Sequence, residues 1–126
     1  MVKIDDVTML YEESRFRESV NTIDLRSHSR YPLFIKEKRE YLGNVYLPVL
    51  LTNYGELESG DKQLRDLVMG KMVREDSISI SKLIDAFQDE QQELCMLQCD
   101  GAFTGLVTQT DAFEAVFREM RDPLDK

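Results

Sequence analysis

The chain has 126 residues, 42% of them apolar, with 16 basic and 24 acidic side chains and a net charge of −8. That size suits one domain, or two small halves sharing a core. The acidic balance argues against a duplex nucleic-acid binder, which needs a basic face for phosphates, and no run of about 18 apolar residues is present to cross a membrane.

Met1-Val-Lys-Ile-Asp-Asp lacks the apolar core of a secretory signal. Val7-Thr-Met-Leu10 is a short strand candidate. Ser14 then caps a predicted helix carrying Phe16, Val20, Ile23 and Leu25. Tyr31-Pro-Leu-Phe-Ile35 reads as a strand from its aromatic and branched residues. Lys36 to Glu40 is a charged turn, and Tyr41 to Leu47 a second strand. Pro48 suits the first position of a helix, where its missing N–H costs nothing; this short helix holds Val49 to Leu51. Asn53 to Asp61 is polar with two glycines and is the best linker candidate.

The second half follows the same plan. Lys71 to Arg74 is extended. Ser79 caps a helix whose Ile80, Leu83, Ile84 and Phe87 recur at helical spacing. Leu94 to Cys99 is a strand, Asp100-Gly101 a hairpin turn, and Ala102 to Val107 the partner strand. The last helix, Thr110 to Arg121, sets Ala112, Phe113, Val116, Phe117 and Met120 on one face before Pro123 ends it. Each half thus reads strand, helix, strand, strand, helix. Gly43 and Gly105 occupy equivalent places, 62 residues apart. Each unit alone has a marginal core, and packing the two together buries what neither buries alone.

The segment Gly105-Leu-Val-Thr108-Gln-Thr-Asp111 runs a buried strand into a helix. Such a junction offers free backbone N–H groups and a positive dipole end. A hydroxyl at Thr108 and a carboxylate at Asp111, three residues apart, suit a nucleotide-sized site, with phosphate on the helix end and ribose hydroxyls on the carboxylate. Plain helix capping accounts for the same residues, with Thr110 as N-cap and Asp111 in the first turn.

With Ser29-Arg30-Tyr31-Pro32-Leu33 in the first half and Gly105-Leu-Val-Thr-Gln-Thr-Asp111 in the second, the chain resembles a tandem cystathionine-β-synthase (CBS) domain pair, or Bateman module. It is most like the cytoplasmic pair of magnesium and cobalt efflux proteins, often called hemolysin-related. The resemblance implies an α+β fold of two βαββα repeats, residues 1–58 and 59–126, related by a pseudo-two-fold axis. It implies a non-catalytic regulatory module that binds AMP, ADP or ATP, with or without Mg2+, in the cleft between repeats. Thr108 would meet phosphate or ribose, and Asp111 the ribose hydroxyls. Met72, Val73, Leu97 and Ala102 would line the adenine, and Arg30 would lie across the cleft. The implied partners are a second copy, through faces such as Phe113, Val116, Phe117 and Met120, and a membrane transport domain on the same or a separate chain. No nucleic-acid partner is implied. The implied location is cytoplasmic, at the inner face of the membrane. The alternative is a dimerisation module without ligand. The first-repeat turn favours that alternative: in Gly43-Asn-Val-Tyr46-Leu-Pro-Val49, Tyr46 and Val49 replace the hydroxyl and carboxylate. One conventional site per chain is therefore expected.

Other constellations carry less chemistry. Cys95 and Cys99 would have Cα atoms about 13 Å apart in a strand, beyond disulfide reach, which points to a reducing compartment. With His28 they do not make a zinc ligand set. Asp85, Asp89, Glu90 and Glu93 form a solvated acidic face rather than a cation patch, as does the tail from Asp122 to Asp125. Arg15, Arg17 and Arg26 are expected to pair with Glu12, Glu13 and Glu18 on an exposed face rather than to neutralise nucleotide phosphates. His28, between Ser27 and Ser29, cannot serve either neighbour as a base, because adjacent residues point apart. No acid–base pair and no phosphate loop of the Walker type is present.

Overall fold

A computed structural model of the chain describes residues 1–12, 21, 29–36 and 39–121. The expected helix around Ser14, Phe16, Val20, Ile23 and Leu25 lies outside these residues, as do His28, the arginines at 15, 17 and 26, and the acidic tail. The chain divides into two units, Thr8–Lys71 and Met1–Val7 with Met72–Lys126. The expected repeat boundary, between 58 and 59, falls within a helix at Tyr54–Ser59.

In the first-repeat unit, β2 (Leu10–Tyr11) runs parallel to β3 (Arg30–Ile35), which pairs antiparallel with β4 (Glu40–Tyr46). The strand expected at Val7–Leu10 is displaced to Leu10–Tyr11. Leu10 is the residue that seats it, opposite Leu33, and both are in the core cluster with Tyr31, Val45, Leu50 and Leu57. Pro48 sits in the first turn of α1 (Leu47–Thr52), as expected.

The linker expected from Asn53 to Asp61 is instead helical. α2 (Tyr54–Ser59) buries Leu57 and ends on Gly60 in the left-handed conformation, φ 88°. One anchored leucine outweighs a polar composition, because burying a leucine side chain is worth about 2 kcal/mol. Asn53 holds the break between the helices. Its Nδ2 donates to Val49 O at 2.7 Å, and its Oδ1 accepts from Lys62 Nζ at 2.8 Å.

The second-repeat unit has a four-stranded sheet of β1 (Val2–Lys3), β7 (Ala102–Thr108), β6 (Leu94–Cys99) and β5 (Val73–Glu75), in that order. β1 (Val2–Lys3) was not expected from sequence, since two residues carry no periodicity. β5 (Val73–Glu75) lies parallel to β6 (Leu94–Cys99), and β6 antiparallel to β7 (Ala102–Thr108). Asp100 and Gly101 both have positive φ, 52° and 81°, as a tight hairpin turn requires. α3 (Ile80–Glu90) starts on Ser79, whose hydroxyl accepts from Lys82 N–H, and it buries Leu83 and Phe87. These join Met72, Cys95, Leu97, Val107 and Ala112 of α4 (Gln109–Arg121) in one core cluster.

The repeat is visible in the pairing irregularities. Leu33 faces Gly43 and Leu97 faces Gly105, and directly beyond each pair the register shifts, skipping Leu42 in one unit and Thr104 in the other. Both glycines are required by a crossing segment. A Cβ on Gly43 would lie 2.4 Å from Val68 Cγ1 and 2.8 Å from Gly70 O, while one on Gly105 would lie 2.5 Å from Val2 O.

Candidate nucleotide site

The turn from β7 into α4 carries the polar groups. Thr108 ends β7 opposite Leu94, and the next residue, Gln109, donates its N–H to Glu93 O at 2.9 Å. This tie fixes where the strand stops. Thr108 Oγ1 then accepts the N–H of Asp111 at 3.2 Å, so Thr108 is the cap of α4. The expected cap, Thr110, lies inside the helix. The Thr-x-x-acid spacing is a capping signature that the sequence already displayed; placing the helix start one residue late obscured it.

An accepting hydroxyl keeps its own proton. Thr108 can therefore cap the helix and still donate outward to a phosphate or ribose oxygen. Asp111 stands in the first turn, at the positive end of the helix dipole, and is half-buried. Its carboxylate can accept from vicinal hydroxyls. The pair supplies one donor, one acceptor and a helix N-terminus suited to an anion.

The other expected site residues divide. Val73 begins β5 opposite Met96, and Met96 faces Leu106, so Val73 is level with a residue two before Thr108. Met72 and Leu97 are 1% and 5% exposed, with their side chains in the core cluster. Ala102 is exposed at the hairpin end of β7, six residues before Thr108 and about 20 Å away along the strand. Thr108 and Asp111 are therefore in contact, Val73 lies two strands across the sheet from β7, and Ala102 is at the far end of the strand. Arg30 belongs to the other unit, where its guanidinium lies 4.4 Å above the Tyr46 ring.

The corresponding turn of the first repeat is built differently. Tyr46 stands at the start of α1 and gives no side-chain cap. Its ring is covered by Arg30 instead, a cation–π contact, so the hydroxyl–carboxylate arrangement occurs only in the second repeat among the described residues.

Elsewhere, Cys95 and Cys99 are both free thiols, one buried and one exposed. Among the described residues no group of three or more His, Cys, Asp or Glu side chains is placed to hold a metal ion. Glu90 of the acidic face is paired with Arg74. Among the described residues no helix is long and apolar enough to cross a membrane.

No family model matches the chain. Solved structures with the same fold include CBS domains. One is a CBS domain protein from Shewanella oneidensis MR-1, with TM-score 0.79, 24% identity, and 92% of each chain covered. Another is the CBS domain of a bacterial CNNM/CorC family Mg2+ transporter in complex with ATP, with TM-score 0.79 and 16% identity over 93% of this chain and 83% of that one. A third is a CBS-domain pair with bound AMP from Klebsiella pneumoniae, with TM-score 0.75 and 15% identity over 93% of this chain and 94% of that one. The fold is that of an α+β CBS-domain pair.

Within that class, the sequence is similar to proteins of the hemolysin and CorC type. It is 24% identical over 127 residues to Hemolysin C of Brachyspira hyodysenteriae, covering all of this chain and 46% of that protein. It is 20% identical over 127 residues to the magnesium and cobalt efflux protein CorC of Pasteurella multocida, covering 42% of that protein. The chain thus spans less than half the length of these curated relatives.

Proposed function

We propose that the chain is a non-catalytic regulatory module that binds an adenosine nucleotide on the Thr108–Asp111 turn and passes that state to a divalent-cation transport domain at the cytoplasmic face of a membrane. The observation that carries this is the capped strand–helix junction, in which Thr108 Oγ1 accepts from Asp111 N–H with a hydroxyl proton left over. Similarity to CBS domains that hold ATP and AMP supports the ligand class. Similarity to a magnesium and cobalt efflux protein supports the transport partner. Val73 is the apolar neighbour best placed for the base. Arg30 is engaged with Tyr46 within its own unit. Met72 and Leu97 support the site from within the core, and Ala102 contacts ligand only if the nucleotide extends along the whole strand. Mg2+ would enter bound to the nucleotide phosphates, through which it usually binds proteins.

The test is calorimetric titration with AMP, ADP and ATP, each with and without Mg2+, on the wild type and Asp111→Ala. Binding near one nucleotide per chain, lost in the variant, is the expected result. No heat from the folded protein would overturn it.

A second function, a dimerisation module without ligand, is favoured by one observation. Phe117 and Met120 on α4 are 60% and 64% exposed, beside Phe113 at 36%. A second copy of the chain would cover such a face. A monomer in sedimentation at high concentration would exclude this.

A further inference from the structure

The two units close the outer edge of their last strand in different ways. In the first-repeat unit the edge of β4 is held by the segment Val68–Gly70. Asn44 N–H donates to Gly70 O at 2.8 Å, and Met69 N–H to Asn44 O at 2.9 Å. That segment follows a 3-10 turn, Leu64–Leu67, which buries both leucines. In the second-repeat unit the edge of β7 is covered by β1, which sets Val2 opposite Leu106 and Lys3 opposite Gly105. Val2 is only half-buried and Lys3 is exposed. The 3-10 turn that follows, Ile4–Asp6, buries no residue.

One edge is therefore anchored by buried leucines and the other by a half-buried valine and an exposed lysine. Segments with little buried apolar surface open at low free energy. The weakly held edge is also the one beside the polar turn: Gly105, over which β1 passes, lies three residues before Thr108 on the same strand. The anchored edge lies beside the Tyr46 turn, which lacks a side-chain cap.

We propose that β1 is a detachable strap on β7 whose seating holds the Thr108–Asp111 turn in its capped geometry. Without β1, β7 becomes an edge strand, held near its end from the β6 side alone, by the Cys95–Val107 and Leu94–Thr108 pairings and the Gln109–Glu93 bond. By linkage, a ligand that binds the capped turn tightens the strap, and withdrawal of the strap loosens the turn. The ligand's identity rests on the nucleotide proposal; the coupling of strap and turn is a property of the unliganded chain.

Amide hydrogen exchange by NMR tests this on the wild type, on Gly105→Ala and on a chain lacking Met1–Lys3. The reporting amide is Asp111, bonded to Thr108 Oγ1. The control is Leu83, bonded to Ser79 O at 3.0 Å in the same unit. About tenfold faster exchange at Asp111 in both variants, with Leu83 unchanged, is expected for local opening. Unchanged exchange at Asp111, or equal acceleration at Leu83, would overturn the proposal. If Gly105→Ala does not fold, the deletion decides, since it removes no buried side chain. Adding AMP to the wild type separates the two proposals. Heat of binding without slower exchange at Leu106, the β7 residue whose N–H faces β1 at the Val2–Leu106 pair, overturns the strap alone. Absence of binding removes the nucleotide and leaves Asp111 exchange to decide the strap.

Discussion

Thr108 Oγ1 accepts the backbone N–H of Asp111 at 3.2 Å, while Tyr46, 62 residues earlier at the matching turn, caps nothing. Two turns of one repeat thus differ in the one group that can both hold a helix end and donate to a ligand. Thr108→Val should cost about 1 kcal/mol of stability, the usual worth of an N-cap, and should weaken nucleotide binding. Thr108→Ser should retain both, and Tyr46→Phe, which keeps the ring under Arg30, should be close to neutral. Urea unfolding midpoints of the three variants check this. A neutral Thr108→Val would show that the hydroxyl does not cap.

Gly43 and Gly55 should respond to alanine in opposite directions. Gly43 has φ 136°, and a Cβ there would meet Val68 and the Gly70 carbonyl at 2.4 and 2.8 Å. Clash and strain together should cost more than about 2 kcal/mol. Gly55 lies in α2 with nothing within 4 Å of a Cβ, so alanine there should stabilise by roughly 0.5–1 kcal/mol. Thermal melts of the two variants provide the comparison.

Burial pushes the Cys95 thiol up from 9.0 to about 11, with the Arg74 guanidinium pulling it partly back. The folded chain therefore keeps a proton that the unfolded chain loses above pH 9. The contribution to stability is complete below the unfolded value and declines as pH rises from 9 towards 11. Two pKa units correspond to roughly 3 kcal/mol at most. Cys95→Ala should remove this part of the alkaline decline, measured as the difference in unfolding free energy between pH 8 and pH 10.5. In the native protein a thiol reagent at pH 8 should modify Cys99, which is exposed, and reach Cys95 only after unfolding.

Glu12 ties the start of the first-repeat unit to its far end. Its carboxylate accepts Arg65 N–H at 3.1 Å and Arg65 Nε at 3.0 Å, and its side chain is 11% exposed against 52% for Arg65. Hydrogen bonds to a charged group are worth about 1.5–3 kcal/mol when shielded, and half-exposure of the arginine lowers this. Glu12→Ala should therefore destabilise by about 1 kcal/mol, and Arg65→Ala by less, because the Arg65 N–H bond survives. Equal losses in a denaturant comparison would place the stabilisation in the ion pair alone.

The elements with internal periodicity or turn chemistry were legible before any coordinates. β6, α3 and the Asp100-Gly101 turn follow from residues adjacent in sequence, so their local pattern specifies them. The spacing of Thr108 and Asp111 stood out in the sequence, but the cap was assigned to Thr110, and the structure gives it to Thr108. The repeat was also legible, since Gly43 and Gly105 recur in step. What the sequence could not reveal depended on residues far apart in the chain. Leu57 turned a polar stretch into α2 because a core was available to receive it. β1 exists because β7 had a free edge, and two residues have no pattern of their own. Burial of Met72 and Leu97, and the length of β7 that separates Ala102 from Thr108, were likewise settled by packing and register. Local chemistry determined which groups the turn offers; only tertiary structure decided which neighbours stand beside it, because burial and strand pairing are contacts between distant segments.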